Sequence, residues 1–320
     1  MAVYTTVSSE ALGVFLEDYD IGAALSCVGI AEGIENSNYL LTTPLGRYIL
    51  TLYERRVNAA ELPWFLGLMQ HLAAHGLACP TPVIGHDGEA LRQLEGRPAA
   101  LTTFLPGRPV SVIDTIACHA LGAGLARLHA LGRGYEAERP NTLGMASWAK
   151  LLAACGDAGE QLRAGLTTVV SDEICVLVAE WPALDRLPRG QIHADLFPDN
   201  AFFQNDALSG IIDFYFACTD FLAYDLAICL NAWCCPDDAR PQQALIQAML
   251  DGYESVRPLE DGEWEALPTF CRGAAIRFLL TRLYDWGHTP DGAVVTRKDP
   301  LAYWRRLMAW REMAGVLKRG

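Results

Sequence analysis

Gln191-Ile192-His193-Ala194-Asp195-Leu196-Phe197-Pro198-Asp199-Asn200, followed by Ile211-Ile212-Asp213-Phe214, decides how this 320-residue chain is read. An H-x-D-x-x-x-x-N loop and a downstream apolar strand ending in Asp-Phe are the components of a phosphoryl-transfer site. One carboxylate orients a hydroxyl nucleophile, while an amide oxygen and a second carboxylate hold magnesium on the ATP phosphates. A hard cation takes oxygen ligands, which Asn200 and Asp213 supply. These side chains must converge from two segments, and a pair of adjacent strands does that. Asn205-Asp206 and Ser209-Gly210 offer turn chemistry between apolar Ala201-Phe202-Phe203 and Ile211-Ile212. His193-Ala194-Asp195 alone reads as a surface turn; Asn200 and Asp213 at this spacing turn it into chemistry.

Working outward, 51% hydrophobic and 20% charged residues describe a packed globular chain. The length allows one large or two ordinary domains. A net charge of −13 argues against nucleic-acid and anionic-membrane partners, which reward clustered Lys and Arg. It leaves ATP open, because magnesium and a few local donors meet its charge. The ten cysteines include no C-x-x-C and read as free, buried thiols, with Cys234-Cys235 in a packing role. Met1 to Gly13 has no basic start, and no apolar run approaches bilayer length, so a cytoplasmic location is expected.

Along the chain, Ser8 or Ser9 caps a helix through Leu16 with Leu12, Phe15 and Leu16 on its apolar side. Strands are expected at Leu25 to Ile30, Asn38 to Thr42 and Tyr48 to Tyr53, the last two joined through Thr43-Pro44-Leu45-Gly46. Asn58-Ala59-Ala60-Glu61 has capping-box spacing and opens a helix to His75, stopped by Gly76. Another strand pair is expected near Val83-Ile84 and Ala99 to Phe104. Leu105-Pro106-Gly107-Arg108-Pro109 marks a boundary, giving domains 1–104 and 105–320. Beyond it helical periodicity dominates, beginning with Ile113 to Leu131, whose Ile116, Ala117, Ala120, Gly124 and Leu128 form a stripe. The fold class is therefore α+β: a small sheet-rich lobe before a larger, mainly helical one.

In the first lobe, Gly29 to Tyr39 lies between two strands. Gly33 lets the backbone approach phosphate oxygens, and Asn36 or Asn38 adds side-chain donors; the same composition marks any hairpin. In kinases the following strand carries a phosphate-binding lysine, but no lysine precedes Lys150. Strand alternation puts Ile49 and Thr51 on one face, Ile49 to cover adenine and Thr51 to point at phosphate. Arg55 either replaces the missing cation or stands solvated after the strand.

Together these residues resemble the aminoglycoside-phosphotransferase-like small-molecule kinases, and the resemblance covers most of the chain. It rests on Glu35-Asn36-Ser37-Asn38-Tyr39, Leu125-Ala126-Arg127-Leu128-His129, His193 to Asn200, Ile212-Asp213-Phe214-Tyr215-Phe216-Ala217 and Tyr224-Asp225-Leu226-Ala227-Ile228. It implies a two-lobed protein-kinase-like fold with a small antiparallel-sheet N-terminal nucleotide-binding lobe. Asp195 would be the catalytic carboxylate, Asn200 and Asp213 the Mg2+ ligands, His193 an orienting group and Asp225 a brace for the loop. Softer matches at Thr51-Leu52-Tyr53-Glu54 and Arg277-Phe278 to Arg282-Leu283-Tyr284-Asp285 resemble the branch acting on L-homoserine in threonine biosynthesis. Threonine at the lysine position looks usual for that branch. Tyr215 in place of the glycine of Asp-Phe-Gly, with no Ala-Pro-Glu after it, argues against peptide substrates.

An amino-acid acceptor needs a base and an acid beyond the catalytic set. Tyr215, Asp220 and Tyr224 follow the metal aspartate and could line its site. Arg277 and Arg282 lie roughly 140° apart around one helix, and Arg282 is the weak preference for the carboxylate, against a plain salt bridge with Asp285. His129 reads as a satisfied core histidine. Choline, an aminoglycoside and methylthioribose are alternative acceptors on the same fold, and a nucleotide-binding module without turnover is a second class. The expected state is monomer or homodimer.

Overall fold

The computed structural model describes residues 4–30, 36–54, 58–236, 240–288, 298–313, 315 and 317. The chain divides into two compact units: Met1–Gly107 with Ser209–Ile212, and Arg108–Leu208 with Asp213–Gly320.

The first unit opens with helix α1 (Ser9–Leu16), where Ser8 Oγ accepts from the Ala11 N–H at 3.2 Å. Strands β1 (Ser26–Gly29), β2 (Ser37–Thr43) and β3 (Gly46–Leu52) follow. A 3-10 turn capped by Asn58 leads into α2 (Leu62–Ala74). Gly76, at φ +91°, ends that segment in a conformation that suits glycine. Strands β4 (Leu91–Leu94) and β5 (Arg97–Thr103) complete a five-stranded antiparallel sheet in the order β1-β2-β3-β5-β4. Alternation sets its two faces. Tyr39 and Leu41 of β2, Leu50 and Leu52 of β3, and Ala99 and Leu101 of β5 bury themselves against Leu12, Phe15 and Leu16 of α1. The opposite face therefore carries Asn38, Leu40, Ile49, Thr51 and Thr102, with Asn38 opposite Thr51 and Ile49 opposite Thr102.

The second unit begins with α3 (Thr115–Gly132), capped by Asp114 Oδ1 accepting from the Ala117 N–H at 2.8 Å. Helices α4 (Trp148–Ala154), α5 (Ala158–Leu162) and α6 (Leu166–Glu180) lead to strand β6 (Arg189–Ile192). After the His193–Asn200 loop come β7 (Ala201–Gln204) and β8 (Ala207–Ile211), of which Ser209 to Ile211 belong to the first unit, then β9 (Cys218–Phe221), antiparallel to β6 with Ile192 opposite Cys218. Helices α7 (Leu222–Trp233), α8 (Gln243–Glu254), α9 (Asp261–His288) and α10 (Pro300–Glu312) form the rest. Every residue of α7 is buried, so this helix is the unit's apolar centre.

Four expectations need correction. The partner of β5 is β4, joined through Glu95 and Gly96 at φ +51° and +72°, while Pro82 makes only an isolated bridge to Thr102. Leu-Arg-Gln-Leu carries little β-branched signal, so pairing rather than propensity makes it a strand. The buried stripe of α3 is Ala117, Leu121, Leu125 and Leu128 with Cys118, Gly122 and His129, whereas Ile116 is 58% exposed. Packing on several sides selects small residues that a single-stripe reading ranks low. Ser209-Gly210 lies inside β8, and Asn205-Asp206 alone makes the turn, at φ +48° and +64° as a two-residue hairpin turn requires. Cys175 is exposed, unlike the other thiols of the helical unit.

Candidate active site

The loop between β6 and β7 is fastened through its backbone. His193 N–H donates to Asp225 Oδ2 at 2.7 Å, and Ala194 N–H donates to Asp225 Oδ1 at 2.8 Å. Asp225 stands in the first turns of α7 and is fully buried. Burial alone would push its carboxyl up, but the hydrogen bonds from the His129 ring and the His193 backbone hold it below the ordinary aspartate value.

Asp225 is in turn the end of a buried polar chain. His129 Nε2 lies 3.1 Å from Asp225 Oδ2, and its Nδ1 lies 2.7 Å from the Tyr253 hydroxyl. Tyr253 accepts from Arg257 at 2.9 Å, and Arg257 pairs with both Glu263 oxygens at 3.0 and 2.9 Å. Because arginine only donates, the arrangement directs the Tyr253 hydrogen to Nδ1 and leaves Nε2–H for Asp225. His129 is thus a satisfied core histidine whose partners lead to the loop.

Further along, Asp195 N–H donates to His193 Nδ1 at 3.3 Å, and the Asp195 carbonyl accepts from Phe197 N–H and Asn200 Nδ2, both at 2.8 Å. The Leu196 carbonyl accepts from the Trp233 indole at 2.9 Å. With its backbone so held, Asp195 presents a carboxylate that is 19% exposed, 4.0 Å from Arg277 of α9. Burial raises its pKa above the ordinary aspartate value, against the opposing charges of Arg277 and Lys298.

Asn200 spends its amide nitrogen on Asp195, which leaves Oδ1 as an oxygen donor. Asp213 follows β8 at φ +66° with an exposed side chain. The next residue, Phe214, is buried with its ring 4.9 Å from that of His193, so the Asp-Phe pair packs on the same loop. Among the described residues no cluster of three or more His, Cys, Asp or Glu could hold a metal. A carboxylate and an amide oxygen nevertheless suit magnesium, which keeps several waters and binds through one or two carboxylates plus substrate phosphates. The donor set fits the ion.

In the first unit, Thr51 Oγ1 donates to Asn38 Oδ1 at 2.8 Å, on the face that also carries Ile49. Asn36 is buried and accepts from Glu54 N–H at 3.3 Å. Gly33 and Arg55 lie outside the described residues. Of the acceptor candidates, Tyr215 sits half-buried in the 3-10 turn after Asp213. Asp220 accepts from Asn141 Nδ2 at 2.7 Å and from Phe221 N–H at 2.8 Å, and burial pushes its carboxyl up. Arg282 donates to the Asp299 carbonyl at 3.1 Å and lies 4.6 Å over the Tyr303 ring.

Sequence reasoning weighed Arg277 only against Arg282 for the acceptor carboxylate and did not name Lys298; both cations stand near Asp195, Arg277 with its Nη1 donating to the Ala194 carbonyl and Lys298 5.6 Å over the Phe197 ring. The available signal was an arginine inside the apolar run Ala274-Ala275-Ile276-Arg277-Phe278-Leu279-Leu280, where a buried charge requires a partner.

Residues 26–259 match the phosphotransferase enzyme family. The chain is 61% identical over 316 residues to the homoserine kinase of Gluconobacter oxydans, covering 99% of this chain and 100% of that one. It is 57% identical over 320 residues to the homoserine kinase of Gluconacetobacter diazotrophicus, with 100% of both chains covered. Among solved structures, an amicoumacin kinase in complex with AMP-PNP, Ca2+ and Ami is similar at a TM-score of 0.70 and 18% identity, over 96% of this chain and 92% of that one. A choline kinase of Cryptosporidium parvum is similar at 0.66 and 14%, over 96% of each. At these identities the structures speak to the fold, a two-lobed kinase-like one.

Proposed function

This chain belongs to the phosphotransferase enzyme family, and we propose that it transfers the γ-phosphoryl group of ATP to the side-chain hydroxyl of L-homoserine, giving O-phospho-L-homoserine for threonine biosynthesis. Full-length relatives that carry the name homoserine kinase support the acceptor. The observation that carries the chemistry is the fastened loop, which leaves the Asp195 carboxylate partly open while its backbone is held by Asp225, Asn200 and Trp233.

Phosphoryl transfer asks little covalent work of a protein, so alignment and charge dominate. Asp195 aligns the acceptor hydroxyl and takes its proton late, as the new O–P bond forms. His193 holds the loop rather than exchanging protons with substrate. Asn200 Oδ1 and the Asp213 carboxylate would hold Mg2+, which when bound neutralises charge on the transferred phosphate. Residues 1–104 supply the nucleotide-binding lobe, with Ile49 against adenine and Asn38, Thr51, Asn36, Gly33 and Arg55 towards the phosphates. Residues 105–320 supply the catalytic and acceptor-binding lobe, where Tyr215, Asp220 and Arg282 are the acceptor candidates. The setting is cytoplasmic; among the described residues no helix is long and apolar enough to cross a membrane.

A coupled assay of ADP release with Mg2+-ATP and a panel of homoserine, choline, methylthioribose and kanamycin tests the assignment. Homoserine is expected to exceed every other acceptor in kcat/KM by about a hundredfold or more, the discrimination available when buried polar groups are matched to a substrate. Faster turnover with another member of the panel would replace homoserine. Tight ATP binding with no turnover on any acceptor would replace the enzyme reading altogether.

A further inference from the structure

Ala194 is the residue between His193 and Asp195, and it sits at φ +62°, a left-handed conformation that alanine avoids. Its peptide groups are held from two helices. The N–H goes to Asp225 of α7, and the carbonyl accepts from Arg277 Nη1 of α9. Arg277 is 1% exposed and lies among apolar groups, its guanidinium 4.3 Å from the Phe278 ring and 5.8 Å from that of Phe216. Its Nε has no hydrogen-bond partner, and among the described residues its one carboxylate neighbour is Asp195 at 4.0 Å. Such a half-satisfied buried charge is poor value for stability, since an apolar side chain of similar volume often serves as well or better. Its use lies elsewhere.

We propose that Arg277 is a positioning residue for phosphoryl transfer, clamping the Ala194 peptide in its left-handed form so that Asp195 faces the acceptor hydroxyl. Asp195 leaves the chain directly after that peptide. Relaxation of Ala194 to an ordinary backbone conformation would swing the Cα–Cβ bond of Asp195 and shift its carboxylate. Binding groups elsewhere would stay in place. Arg277 thus acts on the chemical step and not on affinity. This inference rests on the phosphoryl-transfer reading.

Arg277→Met and Arg277→Lys, in the full chain, test it through steady-state kinetics, thermal unfolding and amide hydrogen exchange of peptides covering 192–200. Arg277→Met is expected to keep or raise the melting temperature while kcat falls about a hundredfold or more, with both KM values within about threefold. Arg277→Lys keeps a cation and should recover about tenfold of that loss. Exchange in the loop should rise in Arg277→Met. Glycine adopts the left-handed form without strain, so Ala194→Gly should shrink the Arg277→Met loss about tenfold. A folded Arg277→Met with kcat within about threefold of the parent and unchanged loop exchange would overturn the clamp. So would a loss carried by the KM for homoserine, which makes Arg277 an acceptor contact, or strictly additive effects with Ala194→Gly. Should Arg277→Met not fold, Arg277→Lys decides by the same measures, with lower kcat and faster exchange expected and no change in either overturning it. Exchange needs no acceptor, so a parent chain inert on homoserine would sink the functional reading while the clamp is still judged.

Discussion

Asp195, Asp213 and Asp225 are three carboxylates that differ in exposure and partners, and they should fail differently when altered. Asp195→Asn removes the group that takes the hydroxyl proton; kcat is expected to fall about a hundredfold or more, with nucleotide affinity little changed by fluorescent-analogue titration. Asp213→Asn should instead raise the Mg2+ concentration giving half-maximal rate by about tenfold or more; an unchanged metal dependence would remove Asp213 from that role. Asp225→Asn trades a fully used buried acceptor for a group that must donate, so a loss of about 3 kcal/mol in stability is expected. The folded pKa of Asp225 lies below the unfolded value of about 3.9, so its contribution is complete above roughly pH 5 and fades as pH falls through that value. The stability gap between parent and Asp225→Asn should therefore narrow below about pH 4 in urea titrations. At this scale the sequence named His193, Asp195, Asn200 and Asp213 through their spacing alone. It preferred Arg282 to Arg277 for the acceptor carboxylate without placing either, because a helical wheel separates two faces without saying which one is buried.

Helices α3 and α8 show how an element serves the site without touching substrate. A Cβ at Gly122 would overlap the Met249 carbonyl, and one at Gly252 would overlap the His119 carbonyl, both rigid backbone atoms. The two glycines let the helices approach closely enough for Tyr253, next to Gly252, to reach His129, two turns after Gly122. Gly252→Ala should cost about 1–3 kcal/mol in denaturant unfolding and slow turnover more than it weakens binding. Equal stability in the variant would show that the helices can separate freely. Elements whose signals are local were legible: Ser8 capping α1, the hairpin across Pro44-Leu45, and Gly76 ending the helix before it. Strands β4, β6 and β9 were not: Leu91–Leu94 carries little β-branched signal although its partner is the next strand, while β6 and β9 each depend on a partner distant in sequence, and Arg189–Ile192 offers only one strongly apolar residue.

For the molecule as a whole, the first-lobe reading is testable through linkage. Mg2+-ATP at about a hundred times its Kd should add about 2.7 kcal/mol to the folded state, raising the melting temperature by several degrees. Chelation of the metal should abolish most of the gain, and a chain indifferent to nucleotide would have no such site. The net charge of −13 leaves this interaction to local groups and predicts no retention on DNA or anionic vesicles. The distribution of thiols carries one more consequence. Cys175 is exposed and Cys27 half-covered, while Cys79, Cys118, Cys155, Cys218, Cys229, Cys234, Cys235 and Cys271 are sealed inside. A brief pulse of alkylating reagent should therefore tag the native chain once rapidly, and each later tag would time the opening of the region around it. The protein carries its own stopwatch for unfolding, readable by mass without any added probe.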